Sequence, residues 1–138
     1  MAIRILVVED DDLTRDLFIK VLSRVGGYEA EATEDADEII KIVRERKVDL
    51  ILMDVSLTQS WLDGDEMDGV GLTRLLKADS TTRDVPVILV SAFAEPRDVA
   101  SMLEESGADG YIAKPVTDFQ VFVGKIRNLL QKTSDDGK

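Results

Sequence analysis

Three short runs of consecutive apolar, mostly β-branched residues, each ending on a chemically capable group, constrain this chain more than any other feature. IRILVV (residues 3–8) leads into Glu9, Asp10, Asp11 and Asp12, VDLILMD (48–54) ends on Asp54, and PVILVSA (86–92) closes around Ser91. Such runs lack the alternation of a half-exposed strand and read as strands covered on both faces. Around them the apolar spacing turns helical. Leu13, Leu17, Phe18, Val21, Leu22 and Val25 share one face, and Gly26-Gly27 stops the helix. A weaker strand near Tyr28–Ala32 precedes a helix capped near Thr33 or Asp35, with Ala36, Ile39, Ile40 and Val43 on one side. A third helix over about Gly69–Ala78 presents Leu72, Leu75 and Leu76, and a fourth, closed by Gly107, presents Val99, Met102 and Leu103. A fifth strand over about Gly110–Ala113 and a last helix bearing Phe119, Phe122, Val123, Ile126, Leu129 and Leu130 complete the pattern. Five strands alternating with five helices through short links predict an α/β fold, a parallel sheet with helices on both faces. The expected boundaries are one domain over residues 1–132 and a frayed polar tail over 133–138.

Composition narrows the chemistry. The chain has 138 residues, the size of one domain, which buries about two-thirds of its unfolded surface. Its longest apolar run is far too short to span a bilayer, and MAIRILVVEDD has neither the apolar core nor the cleavage site of a secretory signal, so the cytosol is the expected compartment. There are no cysteines and no histidines, which removes disulfides, thiolate chemistry, the commonest general base and the commonest transition-metal ligand. A formal charge of −11 repels nucleic-acid phosphate and anionic lipid, both of which need Lys and Arg for binding.

Open parallel sheets bind ligands at the carboxyl ends of their strands, near the point where strand order reverses. The first strand ends on Glu9 and Asp10, the third on Asp54, the fourth on Ser91, and the fifth leads to Lys114-Pro115. Three crowded acids repel one another unless a cation sits among them. A hard divalent ion, magnesium with manganese as the alternative, suits carboxylate oxygens, and Asp10 and Asp54 are the expected direct ligands. Asp54 is then a carboxylate nucleophile toward a phosphoryl group, with Lys114 balancing charge and the Ser91 hydroxyl donating to a phosphoryl oxygen.

ILVVEDD (5–11), LILMD (50–54), Asp68-Gly69, VILVSA (87–92) and YIAKP (111–115), in this order and over nearly the whole chain, resemble the receiver domain of bacterial two-component response regulators. That resemblance implies a flavodoxin-like sheet of order 2-1-3-4-5. It implies an acidic magnesium pocket at Glu9 and Asp10, phosphate acceptance by Asp54, a metal-binding backbone carbonyl near Ser56, and pairing of Lys114 with the phosphoryl group. Ser91 takes the Ser/Thr switch position and Tyr111 the aromatic switch position. The bond before Pro115 is implied to be cis, aiming Lys114 into the site. The implied donor is a histidine kinase or histidine phosphotransfer protein. The implied output is a downstream protein or effector domain, or a homodimer, engaged through the face of the fourth helix, fifth strand and fifth helix.

The chain departs from that family between Asp54 and Asp68-Gly69. SLTQSWLDGDEM (56–67) is a longer link than usual, lacks the customary proline, and carries Trp61 and the acids Asp63, Asp65 and Glu66. The acids lack the alternating spacing and closing glutamate of a calcium loop. Ser56 and Phe93 fall where the family tunes phosphate lifetime, and a bulky Phe93 is expected to shield the acyl phosphate. Asp11 and Asp12 serve equally well as caps for the first helix. An aspartyl-phosphate phosphatase of the haloacid-dehalogenase kind would need an acid two residues past the nucleophile, where this chain has Ser56. A pseudo-receiver is disfavoured by the intact acid, hydroxyl and lysine positions, and no GxxxxGK or GxGxxG stretch supports a nucleotide site.

Overall fold

A computed structural model describes residues 2–55, 60–62, 65–92 and 96–136. The chain order is β1 (Arg4–Val8), α1 (Asp12–Arg24), β2 (Glu29–Ala32), α2 (Ala36–Arg44), β3 (Leu50–Asp54), β4 (Ser60–Leu62), β5 (Asp65–Met67), α3 (Gly69–Ala78), β6 (Val87–Ser91), α4 (Pro96–Ser106), β7 (Gly110–Ala113) and α5 (Phe119–Asp136). Five strands pair in parallel in the order β2-β1-β3-β6-β7, the 2-1-3-4-5 arrangement of the flavodoxin-like fold.

The pleat explains the apolar runs. On β1, Ile5 and Val7 face one way and meet Phe18, Val21 and Leu22 of α1 with Phe122, Val123 and Ile126 of α5. Leu6 and Val8 face the other way, toward Ala36, Ile39 and Val43 of α2 with Leu72 and Leu76 of α3. Both faces of the central strands are thus dry, so every position of β3 and β6 is buried and no polar alternation survives. The Phe18 and Phe122 rings stack at 5.2 Å and tie α1 to α5. Caps set the helix starts: Asp11 accepts from the Thr14 N–H, Asp35 from Asp37 and Glu38, and Asp68 from Gly71. Gly107, at φ 76°, closes α4 in the left-handed conformation that its missing Cβ permits.

Several expectations change. Leu13 and Leu17 keep helical spacing yet are exposed, because α1 packs on the core through Phe18, Val21 and Leu22, with Ile19 and Val25 partly buried beside them. Phe119 likewise stays exposed at the start of α5. The last helix, α5, runs through Asp136. The largest difference lies between β3 and α3, where a loop is expected and β4 and β5 form an antiparallel hairpin pairing Ser60 with Met67, Trp61 with Glu66 and Leu62 with Asp65. Only Asp63-Gly64 separates the two strands, a dipeptide typical of tight hairpin turns. Against that turn signal, DEM has poor strand propensity and a three-residue strand shows too little periodicity to read. Ser56 and Phe93 lie outside the described residues.

Candidate phosphoacceptor site

Register assembles the site. Val8 pairs with Met53, so Glu9 and Asp54 leave adjacent strands side by side. Asp54 pairs with Val90, and Ser91 pairs with Ala113, the residue before Lys114. All of these positions lie at the carboxyl edge, at the junction of β1 and β3 where strand order reverses. Glu9, Asp54 and Ser91 are buried, whereas Asp10 and Lys114 are half-buried.

Lys114 spans the crevice. Its Nζ lies 2.6 Å from Glu9 Oε1 and 3.4 Å from Asp54 Oδ1, so one ammonium serves two carboxylates from neighbouring strands. The Lys114–Pro115 bond is cis, as the resemblance implies. The Ser91 carbonyl accepts from the Lys114 N–H at 2.9 Å and from the Tyr111 hydroxyl at 3.1 Å. The expected switch pair and the lysine therefore meet on one peptide group.

Electrostatics mark Glu9 as the group under most stress. Burial first, and then the neighbouring Asp54 carboxyl, push its pKa up to about 7, although Lys114 and the Asp11 N–H act in the opposite direction. Burial works against the charge on Lys114, but Glu9 and Asp54 outweigh it and raise the lysine above its ordinary value. Carboxylate oxygens of Glu9, Asp10 and Asp54 all lie within 4.8 Å of one another. Glu9 Oε1 is buried and, despite its short distance to the ammonium, has no aligned hydrogen-bond donor among the described residues. Converging hard oxygens from three carboxylates fit a small divalent cation.

One residue proves more important than the sequence indicates. A Cβ built on Gly69 would stand 2.0 Å from the Asp54 carbonyl oxygen, so the first turn of α3 rests directly on the backbone of Asp54. The Gly69 N–H also donates to the Val55 carbonyl at 3.3 Å. Asp68-Gly69 contributes to the resemblance, but its spatial reason appears only in the fold. Asp11 and Asp12 act as the helix-capping alternative describes: Asp11 accepts from Thr14 N and Oγ1, and Asp12 pairs with Arg15 at 2.7 Å.

A doubly wound parallel sheet with three acids and a lysine gathered at its reversal point defines a phosphoacceptor signalling domain. The chain belongs to the response regulator receiver domain family, whose family model matches residues 5–127. It is 36% identical over 113 residues to the polar-differentiation response regulator DivK of Brucella anthropi, covering 82% of this chain and 85% of that protein. NtrX from Brucella abortus superposes with a TM-score of 0.81 at 26% identity over 99% of this chain, which spans only 28% of the NtrX chain. The receiver domain of a sensor histidine kinase from Pseudomonas aeruginosa, with a magnesium ion coordinated in its active-site cleft, superposes with a TM-score of 0.70 at 26% identity, covering 96% of this chain and 97% of that one. Receiver domains of this family interact with histidine kinases and downstream effectors. No helix among the described residues is long and apolar enough to cross a membrane.

Proposed function

We propose that Asp54 is the phosphoacceptor of a two-component relay operating in the cytosol, taking its phosphoryl group from a phosphohistidine on a histidine kinase or phosphotransfer protein. The observation that carries this reading is the Lys114 ammonium bridging Glu9 and Asp54 beside Asp10, a charge pattern suited to a group that gains negative charge. A carboxylate oxygen of Asp54 attacks phosphorus, the donor N–P bond breaks with its electron pair returning to the imidazole nitrogen, and an acyl phosphate forms. The cation that fits the acidic cluster is magnesium; Glu9, Asp10 and Asp54 would hold it, and it would neutralise charge on the transferring oxygens. Lys114 stays protonated and meets a phosphoryl oxygen as its contact with the Asp54 carboxylate is released. The Ser91 hydroxyl donates to another.

Readout follows from the peptide shared by the switch residues. Movement of Ser91 toward a phosphoryl group shifts the carbonyl that Tyr111 and Lys114 both bind, and this biases the face of α4, β7 and α5 between two arrangements. An effector, or a second copy of the chain, engages that face. Water eventually attacks phosphorus and restores the carboxylate, so the domain acts as a switch with slow self-dephosphorylation and not as a turnover enzyme. The test is incubation with magnesium and a small acyl-phosphate donor followed by intact-mass measurement. Wild type gains one phosphoryl group, while Asp54→Asn and a magnesium-chelated sample gain none. Equal labelling of Asp54→Asn and wild type would overturn the assignment.

A further inference from the structure

We propose that the β4–β5 hairpin is a mechanical strap that carries the state of Asp54 to α2, giving this domain a responsive face on the α2 side. This inference rests on the reading of Asp54 as the acceptor.

The path is contiguous from the acceptor to α2. Gly69 stands against the Asp54 carbonyl so closely that no Cβ fits, and its N–H is bonded to the Val55 carbonyl, so the first turn of α3 must follow any shift of the acceptor backbone. Asp68, the residue between β5 and that turn, caps α3 through a 2.7 Å bond from the Gly71 N–H, which locks the end of the hairpin to the helix as one body. β5 is paired in register with β4, and β4 packs beside α2 while β5 packs beside α3. The hairpin therefore adds a backbone link between two helices that share a core on the same face of the sheet.

The helix on the receiving end is poised to respond. Ala36, Ile39 and Val43 anchor α2 in the core shared with α3, while Ile40 and Ile42 are only half-buried beside it. Among the described residues, an exposed Arg44–Asp79 ion pair at 3.2 Å also links α2 to α3, at the carboxyl ends of both helices. Exposed pairs of this kind contribute little. A push delivered through β4 acts on a helix anchored through Ala36, Ile39 and Val43, and the expected response is a rocking of α2 about that buried face. A plain loop in place of the hairpin would absorb the same displacement, because unpaired backbone has no ladder to transmit force.

The experiment is hydrogen exchange by mass spectrometry on the full chain, with magnesium alone and with magnesium plus beryllofluoride, an acyl-phosphate mimic. It uses wild type and a variant with residues 60–67 replaced by a short Gly-Ser link. In wild type, amides of both α2 and α4 are expected to change exchange rate by about twofold or more. In the shortened variant the α4 change remains and the α2 change disappears. An unchanged α2 beside a responding α4 in wild type, or an α2 response that survives removal of the hairpin, overturns the strap. Should the shortened variant not fold, the fluorescence of Trp61 decides, since this sole tryptophan lies on β4: wild type must shift on beryllofluoride addition and Asp54→Asn must not. A wild type that takes up no phosphoryl group from an acyl-phosphate donor overturns the acceptor reading itself, and the strap with it.

Discussion

Gly69→Ala sets two effects of opposite sign against each other, and the structure decides between them. Gly69 opens α3, where alanine is intrinsically the better helix former by at most about 1 kcal/mol, so propensity alone forecasts a more stable protein. The added methyl, however, would sit 2.0 Å from the Asp54 carbonyl oxygen, 2.8 Å from its carbon and 3.0 Å from Val55 Cα, whereas a carbon and a carbonyl oxygen need about 3.3 Å. All three obstacles are backbone, so relief requires α3 and the end of β3 to part by more than about 1 Å, and overpacking of this kind costs about 3 kcal/mol. The net expectation is a loss of about 2 kcal/mol, read as a lower urea midpoint at unchanged slope. Because the same displacement moves the acceptor, labelling by a small acyl-phosphate donor should slow by about a hundredfold, the penalty typical of a 1 Å misplacement. A Gly69→Ala protein at least as stable as wild type, or labelled at the wild-type rate, would refute the claim that α3 rests on Asp54.

Three further outcomes follow from particular contacts. Glu9, whose pKa rises from an ordinary 4.5 to about 7 through burial and the Asp54 carboxyl, keeps its proton more readily folded than unfolded, so stability is fullest below pH 4.5 and declines by about 3 kcal/mol as pH climbs toward 7. Urea midpoints taken across that window without divalent cation should show the decline in wild type and a flatter profile in Glu9→Gln; equal slopes would contradict it. Lys77→Met removes an ammonium that holds Asp109 at 2.7 Å and the carbonyls of Arg83 and Val85 at 3.0 and 2.9 Å, at the amino end of the sheet. Thermal unfolding should show a loss of about 2 kcal/mol, with the phosphoryl-labelling rate unchanged. Arg46 follows α2 with φ 56°, a conformation that costs an L side chain about 1 kcal/mol, so Arg46→Gly should raise the melting temperature by a few degrees, and a lower one would count against backbone strain there.

Much of this molecule is legible in linear order, because burial on two faces writes itself into a strand as an unbroken apolar run and burial on one face writes itself into a helix as a 3.6-residue rhythm. IRILVV, LILM and VILV announce the central strands, and the residues that end them, Glu9, Asp10, Asp54 and Ser91, are marked because polarity returns where a strand leaves the core. Periodicity reports only what a segment buries, however, and not which partner it meets. Leu13 and Leu17 follow the helical rhythm of α1 yet face solvent, since where a helix crosses the sheet is set by contacts far away in sequence. The hairpin of β4 and β5 is too short to show a period, and its place beside α2 is a nonlocal fact.

The site divides along the same line. Local pattern determined which side chains stand at the ends of strands, and with them the acid, hydroxyl and lysine inventory of the crevice. Strand order and register alone decided that Lys114 reaches back across the sheet to Glu9 and Asp54, and that Tyr111 hangs on the Ser91 carbonyl. Only the fold decided that Gly69 must have no side chain. The physical reason is that hydrophobic burial acts on each segment separately and leaves its trace there, whereas a distance between residues 60 positions apart in a chain is created only when the segments pack.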